Sequence, residues 1–132
     1  MQELDNLSLV YLQTPYDILK NLPRVFYLFY AVVRIVYQII QLLIMLGVEN
    51  YGTIIVQNPP NIPIFFVLFL LRQFREVSII VDWHNYGYSI MQSTGSNRYL
   101  IAAAKQYELF FGRMIGDVHI TVSRAFADDI RK

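Results

Sequence analysis

The chain has 132 residues, of which 55% are hydrophobic and only 16% are charged, a composition too apolar for a disordered protein. Eleven basic and ten acidic residues give a net charge of +1, so the chain lacks the basic field that holds a nucleic-acid backbone. The absence of cysteine excludes disulfides, thiolate metal sites and cysteine nucleophiles. Ten Tyr and nine Phe indicate apolar surface that a membrane, a partner domain or further chain would cover.

The first third of the chain combines a predicted short strand, Ser8 to Gln13, with a long apolar helix, Val25 to Leu46. The helix is long enough to span a bilayer, but Arg34 near its middle makes insertion costly. Gln38 and Gln41 continue a polar stripe from Arg34 at helical spacing. This pattern favours a helix that packs in a domain and touches the bilayer surface. A true span and a fully buried helix remain the alternatives.

Strands and helices alternate over the rest of the chain. Runs rich in β-branched residues predict three buried strands: Thr53 to Gln57, Ser78 to Trp83 and Val118 to Val122. Helical periodicity and capping residues predict three helices: Pro63 to Phe74, Asn97 to about Ile115, and one from Ser123 onward. Residues 84–97, rich in Gly, Ser and Asn, predict a loop with at most one helical turn. The alternation predicts an α/β fold with a parallel sheet and helices on both faces.

Polar side chains follow each predicted strand, where open parallel sheets bind their ligands. The groups at the three strand ends are Gln57 and Asn58, then Asp82, His84 and Asn85, then Thr121 and Ser123. Neither of the common glycine-rich phosphate-binding motifs occurs. No group of His, Asp or Glu has metal-ligand spacing, so we expect no bound metal.

The segment Asp82 to Tyr88 (DWHNYGY) holds the densest set of functional residue types. His84 could act as a general base, with Asp82 either orienting it or acting as the base itself. On residue types alone, a structural role is favoured, in which Asp82 caps a turn and His84 satisfies buried carbonyls. Trp83 and the tyrosines could stack on a sugar or belong to the core.

Three further polar residues are interpreted as structural. His119 alternates with apolar residues in a predicted strand, which favours a structural role. Lys105 and Glu108 are three residues apart on a predicted helix and are expected to form a surface pair.

Three segments of the chain resemble one enzyme family in order and spacing. They are VQNPP at Val56 to Pro60, VDWHNYGYSIM at Val81 to Met91, and YE with FFGR between Tyr107 and Arg113. Together they resemble the chitobiosyldiphosphodolichol beta-mannosyltransferase family. The resemblance is specific over residues 53–130, whereas residues 8–46 match only in pattern.

The resemblance implies a two-domain GT-B glycosyltransferase on the cytosolic face of the endoplasmic reticulum membrane. Such an enzyme transfers mannose from GDP-mannose to dolichyl-diphosphate chitobiose in a β-1,4 linkage with inversion, without a cofactor. Inversion needs a base, and the resemblance implies that His84 or Asp82 supplies it. It also implies an acceptor cleft formed by a set of four residues: Asn58, Asn85, Tyr86 and Gly87.

The lipid acceptor would explain the apolar helix, which we expect to face the membrane through Phe26, Phe29, Val33 and Ile40. The chain stops inside its last predicted helix, so we expect an incomplete Rossmann-like amino-terminal domain without the nucleotide-sugar domain. Early strands of the family would lie between the first and second strands here. We therefore expect exposed strand edges, marginal stability and no transfer by the isolated chain.

Three alternatives to an enzyme fragment remain open from the sequence. The chain could be the non-enzymatic product of a partial gene copy. It could be one subunit of a split transferase, with a donor-binding partner. It could also be a small integral membrane protein that uses residues 25–46 as its span.

Overall fold

The computed structural model describes Leu12 and residues 24–131. The predicted strand Ser8 to Gln13 therefore lies, apart from Leu12, outside the described residues. Within those residues the chain forms a mixed α/β structure with a three-stranded parallel sheet. The α/β class and the parallel sheet are confirmed, and both are consistent with part of a Rossmann-like fold.

The sheet consists of β1 (Thr53–Asn58), β2 (Ser78–Trp83) and β3 (Val118–Thr121), in the order β1-β2-β3. All strands are parallel, so their carboxyl ends meet at one edge, with Asn58 beside Trp83 and Trp83 beside Thr121. Among the described residues β1 pairs only with β2, which leaves its other edge open as expected.

Within residues 24–131, five helices connect and flank the strands. They are α1 (Arg24–Val48), α2 (Ile64–Phe74), α3 (Gly87–Ser93), α4 (Arg98–Ile115) and α5 (Arg124–Arg131). The predicted cap of α4 is confirmed, because the Asn97 side chain accepts a hydrogen bond from the backbone N–H of Tyr99 over 2.8 Å. The expected loop at residues 84–97 is wrong in extent, because α3 gives this segment about two turns of helix.

The core lies between the sheet and helices α2, α4 and α5, and α1 adds Leu42 and Leu46 to it. Trp83 is fully buried and contacts the rings of Phe65 and Phe126 edge-on. Gly112 lets α4 approach the sheet, since a Cβ atom there would lie 2.5 Å from the Trp83 indole. This close approach fixes the end of β2, where the candidate site begins.

The prediction of helices on both faces of the sheet is wrong for the described residues. The helices pack against the face that bears Ile79, Val81 and Trp83, all fully buried. On the opposite face Ile55 is 69% exposed and Ile120 is 50% exposed. In the order β1-β2-β3, right-handed crossovers put the helices of both connections on the same face of the sheet, which explains why the prediction failed.

Helix α1 packs against α2 through its carboxyl-terminal half, where Leu42 and Leu46 are buried. The segment Phe29–Val48 is long and apolar enough to cross a membrane, and only 11% of it is buried. The four residues expected to face a membrane are all exposed: Phe26, Phe29, Val33 and Ile40. The helix thus has one face in the core and a broad apolar face outside it.

Candidate active site

The Asp82 and His84 side chains form a pair at the carboxyl end of β2. His84 Nε2 lies 2.9 Å from Asp82 Oδ2, and the side chains are 46% and 29% exposed, respectively. Because side chains alternate along a strand, Asp82 lies on the open face of the sheet. The pair is therefore accessible from solvent. The structural alternative, in which His84 satisfies buried carbonyls, is wrong for its side chain.

A buried hydrogen-bond network lies on the other face, centred on Glu108 of α4. The Asn58 amide nitrogen donates to Glu108 Oε1 over 2.6 Å and to the Asn85 carbonyl over 3.1 Å. The backbone N–H groups of Gly87 and Tyr88 donate to the two Glu108 oxygens over 2.8 and 3.0 Å. The network thus joins the end of β1, the turn after β2 and the start of α3.

The expected surface pair of Lys105 and Glu108 is wrong, because Glu108 is fully buried. The first N–H groups of α3 have no partner within their own helix, and the carboxylate satisfies two of them. Lys105 instead places its ammonium group 5.2 Å from the centre of the Tyr88 ring.

Sequence reasoning could have placed Glu108 inside the fold from the period of α4. Ala104, Gly112 and Ile115 are buried, and together with Glu108 they share one face at helical spacing. A charged residue on that inward face is the signal of a buried hydrogen-bonded group.

The end of β1 also holds the turn after β2 through its backbone. The carbonyl of Asn58 accepts hydrogen bonds from the backbone N–H groups of His84, over 3.1 Å, and Asn85, over 3.5 Å. Both the side chain and the backbone of Asn58 thus contact the turn that carries His84. The Asn58 side chain itself is fully buried, whereas Asn85 is exposed.

Tyr86 joins this turn to α5. Its hydroxyl donates to Asp129 Oδ2 over 2.8 Å, and its ring lies edge-on to Phe126 and stacks on Tyr88. Burial, followed by the hydrogen bond to Asp129, raises the pKa of the Tyr86 hydroxyl. The half-buried Tyr86 ring is therefore held between the turn and α5, with its hydroxyl neutral at physiological pH.

Of the remaining strand-end groups, Thr121 and Ser123 have local hydrogen-bond partners. Thr121 donates its hydroxyl to the Ser123 carbonyl, and the Ser123 hydroxyl accepts from the Phe126 N–H at the start of α5. Gln57 is exposed and lies beside Asp82 in the sheet register. The described part of the chain holds no group of three or more His, Cys, Asp or Glu residues that could bind a metal ion.

Comparison with known proteins finds homologues that share one name. The chain is 39% identical over 110 residues to the chitobiosyldiphosphodolichol beta-mannosyltransferase of Homo sapiens. This match covers 82% of the chain and 23% of the human enzyme. The enzyme of the same name from Debaryomyces hansenii is 34% identical over 124 residues, covering 89% of the chain and 26% of the relative. The chain is a homologue of this mannosyltransferase family.

The resemblance seen in the motifs is thus confirmed over most of the chain. No protein-family model matches the sequence, and no solved structure matches it significantly. The chain spans about a quarter of the length of these mannosyltransferases.

Proposed function

We propose that this chain is the acceptor-side part of the amino-terminal domain of a GT-B mannosyltransferase. The complete enzyme would transfer mannose from GDP-mannose to dolichyl-diphosphate chitobiose, forming a β-1,4 linkage with inversion. Two observations support the proposal: the homology to enzymes named for this reaction, and a parallel sheet with polar groups at its carboxyl edge.

The observation that carries the proposed chemistry is the solvent-accessible pair of Asp82 and His84. When the ring proton is on Nε2, it is donated to Asp82, and Nδ1 is left able to take a proton. The acceptor hydroxyl oxygen would bond to the anomeric carbon of mannose as the bond from that carbon to the phosphate oxygen breaks. The hydroxyl proton passes to the pair, and GDP leaves with the bonding electrons.

The four residues expected in the acceptor cleft divide into two roles. The exposed side chain of Asn85 and the half-buried ring of Tyr86 follow His84 in the turn after β2, and we propose that they contact the acceptor. Asn58 and Gly87 act indirectly, because their polar groups already bind Glu108 inside the fold. The nucleotide sugar would be held by a domain or subunit outside these 132 residues, so we expect no transfer by this chain alone.

We further propose that α1 places the site at the cytosolic surface of the endoplasmic reticulum membrane, where the dolichyl acceptor is embedded. Its exposed apolar face supports membrane contact, with Phe29 69% exposed. Its inner face packs against α2 through Leu42 and Leu46, which favours a helix lying along the surface over one surrounded by lipid.

A chimera tests the proposed reaction. The 110 matched residues of the human relative are replaced by those of this chain, and transfer from radiolabelled GDP-mannose to a synthetic isoprenyl-diphosphate chitobiose is measured. We expect a labelled trisaccharide lipid from the chimera and none from the isolated chain. A well-folded chimera without transfer would contradict the proposal. Transfer by the isolated chain would contradict the assignment of the donor site to another part.

The intact mass of the native polypeptide separates a fragment from a split enzyme. A mass near 15.5 kDa, with a second protein that co-purifies and restores transfer, would favour one subunit of a split transferase. The same mass without any such partner would favour a non-enzymatic product. A mass several times larger would support a part of a complete enzyme.

A further inference from the structure

Glu108 is a fully buried carboxylate whose described contacts include no salt bridge. Burying a charge is costly unless hydrogen bonds replace its water, and Glu108 accepts bonds from three donors. Two of these donors are the first N–H groups of α3, Gly87 and Tyr88. The third donor is the Asn58 amide, which does not belong to α3, so the capping of α3 does not account for this hydrogen bond.

The Asn58 amide is oriented by this contact. Its nitrogen lies between Glu108 Oε1 and the carbonyl of Asn85, and it donates to both. Its oxygen, Oδ1, is buried and has no hydrogen-bond partner among the described residues. One orientation of the amide therefore satisfies both acceptors and leaves its own buried oxygen without a partner among the described residues, which is unfavourable by itself.

The same residue, Asn58, controls the backbone that carries His84. The Asn58 carbonyl accepts the His84 N–H over 3.1 Å, and its side chain holds the Asn85 carbonyl on the next residue. A path of direct hydrogen bonds thus runs from Glu108 through Asn58 to the turn after β2. This turn sets the direction of the His84 ring toward Asp82.

We propose that Glu108 is a positioning residue: through Asn58 and the amino end of α3 it fixes the turn that carries His84. This inference rests on the proposed function only in taking the His84 and Asp82 pair as the catalytic pair. Glu108 does not touch the acceptor, because it has no exposed surface. Its effect on the reaction is through the geometry of the pair.

Hydrogen exchange of the 132-residue chain tests the structural half of the proposal. Glu108→Gln replaces one acceptor oxygen by a donor that faces backbone N–H groups. We expect exchange at the His84 and Asn85 amides to rise about tenfold or more. Asp117→Asn is the matched control, since Asp117 accepts from the Ile79 N–H at the opposite edge of the sheet. It should leave the His84 and Asn85 amides within about twofold of wild type.

Asn58→Ala provides a second variant, in case Glu108→Gln does not fold. This substitution removes the side chain that links Glu108 to the turn after β2, but it leaves the hydrogen bonds between Glu108 and α3. We therefore expect the same rise in hydrogen exchange at the His84 and Asn85 amides. Unchanged exchange at these two amides in either folded variant overturns the proposal. A rise confined to Gly87 and Tyr88 also overturns it, because Glu108 would then be only a cap of α3.

Kinetics of the chimera test the catalytic half. We expect Glu108→Gln to lower kcat about tenfold to a hundredfold with KM within about threefold, whereas Asp117→Asn leaves both unchanged. The double variant, with Glu108→Gln and Asn58→Ala, should lower kcat by a smaller factor than the product of the two single-variant factors, because both substitutions break the same path of hydrogen bonds. Independent effects, or an unchanged kcat for Glu108→Gln, overturn the catalytic half. A chimera inactive with wild-type Glu108 overturns the proposed function instead, and hydrogen exchange alone then decides whether Glu108 holds the turn.

Discussion

The indole N–H of Trp83 donates a hydrogen bond to Nδ1 of His119 over 2.9 Å. The bond joins β2 to β3 just behind the turn that carries His84. It requires a neutral His119 with its own proton on Nε2. Burial lowers the pKa of His119, which keeps the ring neutral, although the nearby Asp117 carboxylate opposes this shift. The structural role expected for His119 is therefore confirmed.

We expect the fluorescence of Trp83 to change as the pH falls, because protonation of His119 removes the acceptor of the indole bond. The midpoint should lie below 6.5, the ordinary pKa of His, since the folded state lowers this pKa. The associated stability is fully present above 6.5 and decreases as the pH falls towards the folded-state pKa. Trp83 is the only tryptophan, so the signal is specific.

His119→Phe is the control for this titration and should abolish the change between pH 6.5 and 4. Asp117 titrates separately. The Ile79 N–H holds the pKa of its carboxyl below the ordinary 3.8, so its contribution to stability is lost only at lower pH. A fluorescence midpoint at or above 6.5 in the wild-type chain would contradict the assigned hydrogen bond.

Removing either member of the Asp82 and His84 pair should lower transfer by the chimera. A positioned general base contributes about 10²–10⁴-fold, so we expect His84→Ala to lower kcat by that factor. Asp82→Asn should also lower kcat, by more than His84→Ala if Asp82 is the base. Asp128→Asn on the exposed surface of α5 is the control. Activity of His84→Ala within about threefold of wild type would remove His84 as the base.

Gly112→Ala should destabilise the chain by about 1–3 kcal/mol, because its Cβ atom would overlap a packed ring system. The Cβ atom would lie 2.5 Å from the Trp83 indole and 3.0 Å from the Phe65 ring. Gly47→Ala in α1 is the matched control, since a Cβ there meets nothing within 4 Å and Ala is the better helix former. Chemical denaturation measures both variants. Equal stability of Gly112→Ala and the wild type would show that α4 can move away from the sheet.

The strands and the site pair could be predicted from the sequence because local signals specify them. Runs of β-branched residues give β1 and β2 to within a residue, and the spacing of Asp82 and His84 put both at one strand end. Glu108 was misplaced because an i, i+3 pair with Lys105 is a purely local expectation. Its actual partners are distant in sequence: Asn58 is 50 residues away, and Gly87 and Tyr88 are 21 and 20 residues away.

The open face of the sheet could not be predicted, because it depends on the order of the strands. Alternating strands and helices are compatible with several orders, and only some of them put helices on both faces. In the observed order, Ile55 and Ile120 are left exposed among the described residues. Likewise, the Gly- and Ser-rich composition of residues 84–97 concealed α3, whose first N–H groups bind Glu108, a contact between distant residues.

Charged substitutions on the outer face of α1 should weaken membrane binding without unfolding the chain. Phe29 and Ile40 are exposed and on one side of the helix, so Phe29→Asp with Ile40→Asp should reduce flotation with liposomes by about tenfold or more. Phe74→Asp is the control, because Phe74 is 85% exposed but lies at the end of α2. Alkaline carbonate should release the wild-type chain from membranes if α1, which packs against α2, lies on the membrane surface as proposed. Retention in the carbonate pellet would instead favour α1 as a span, and the chain as a small integral membrane protein.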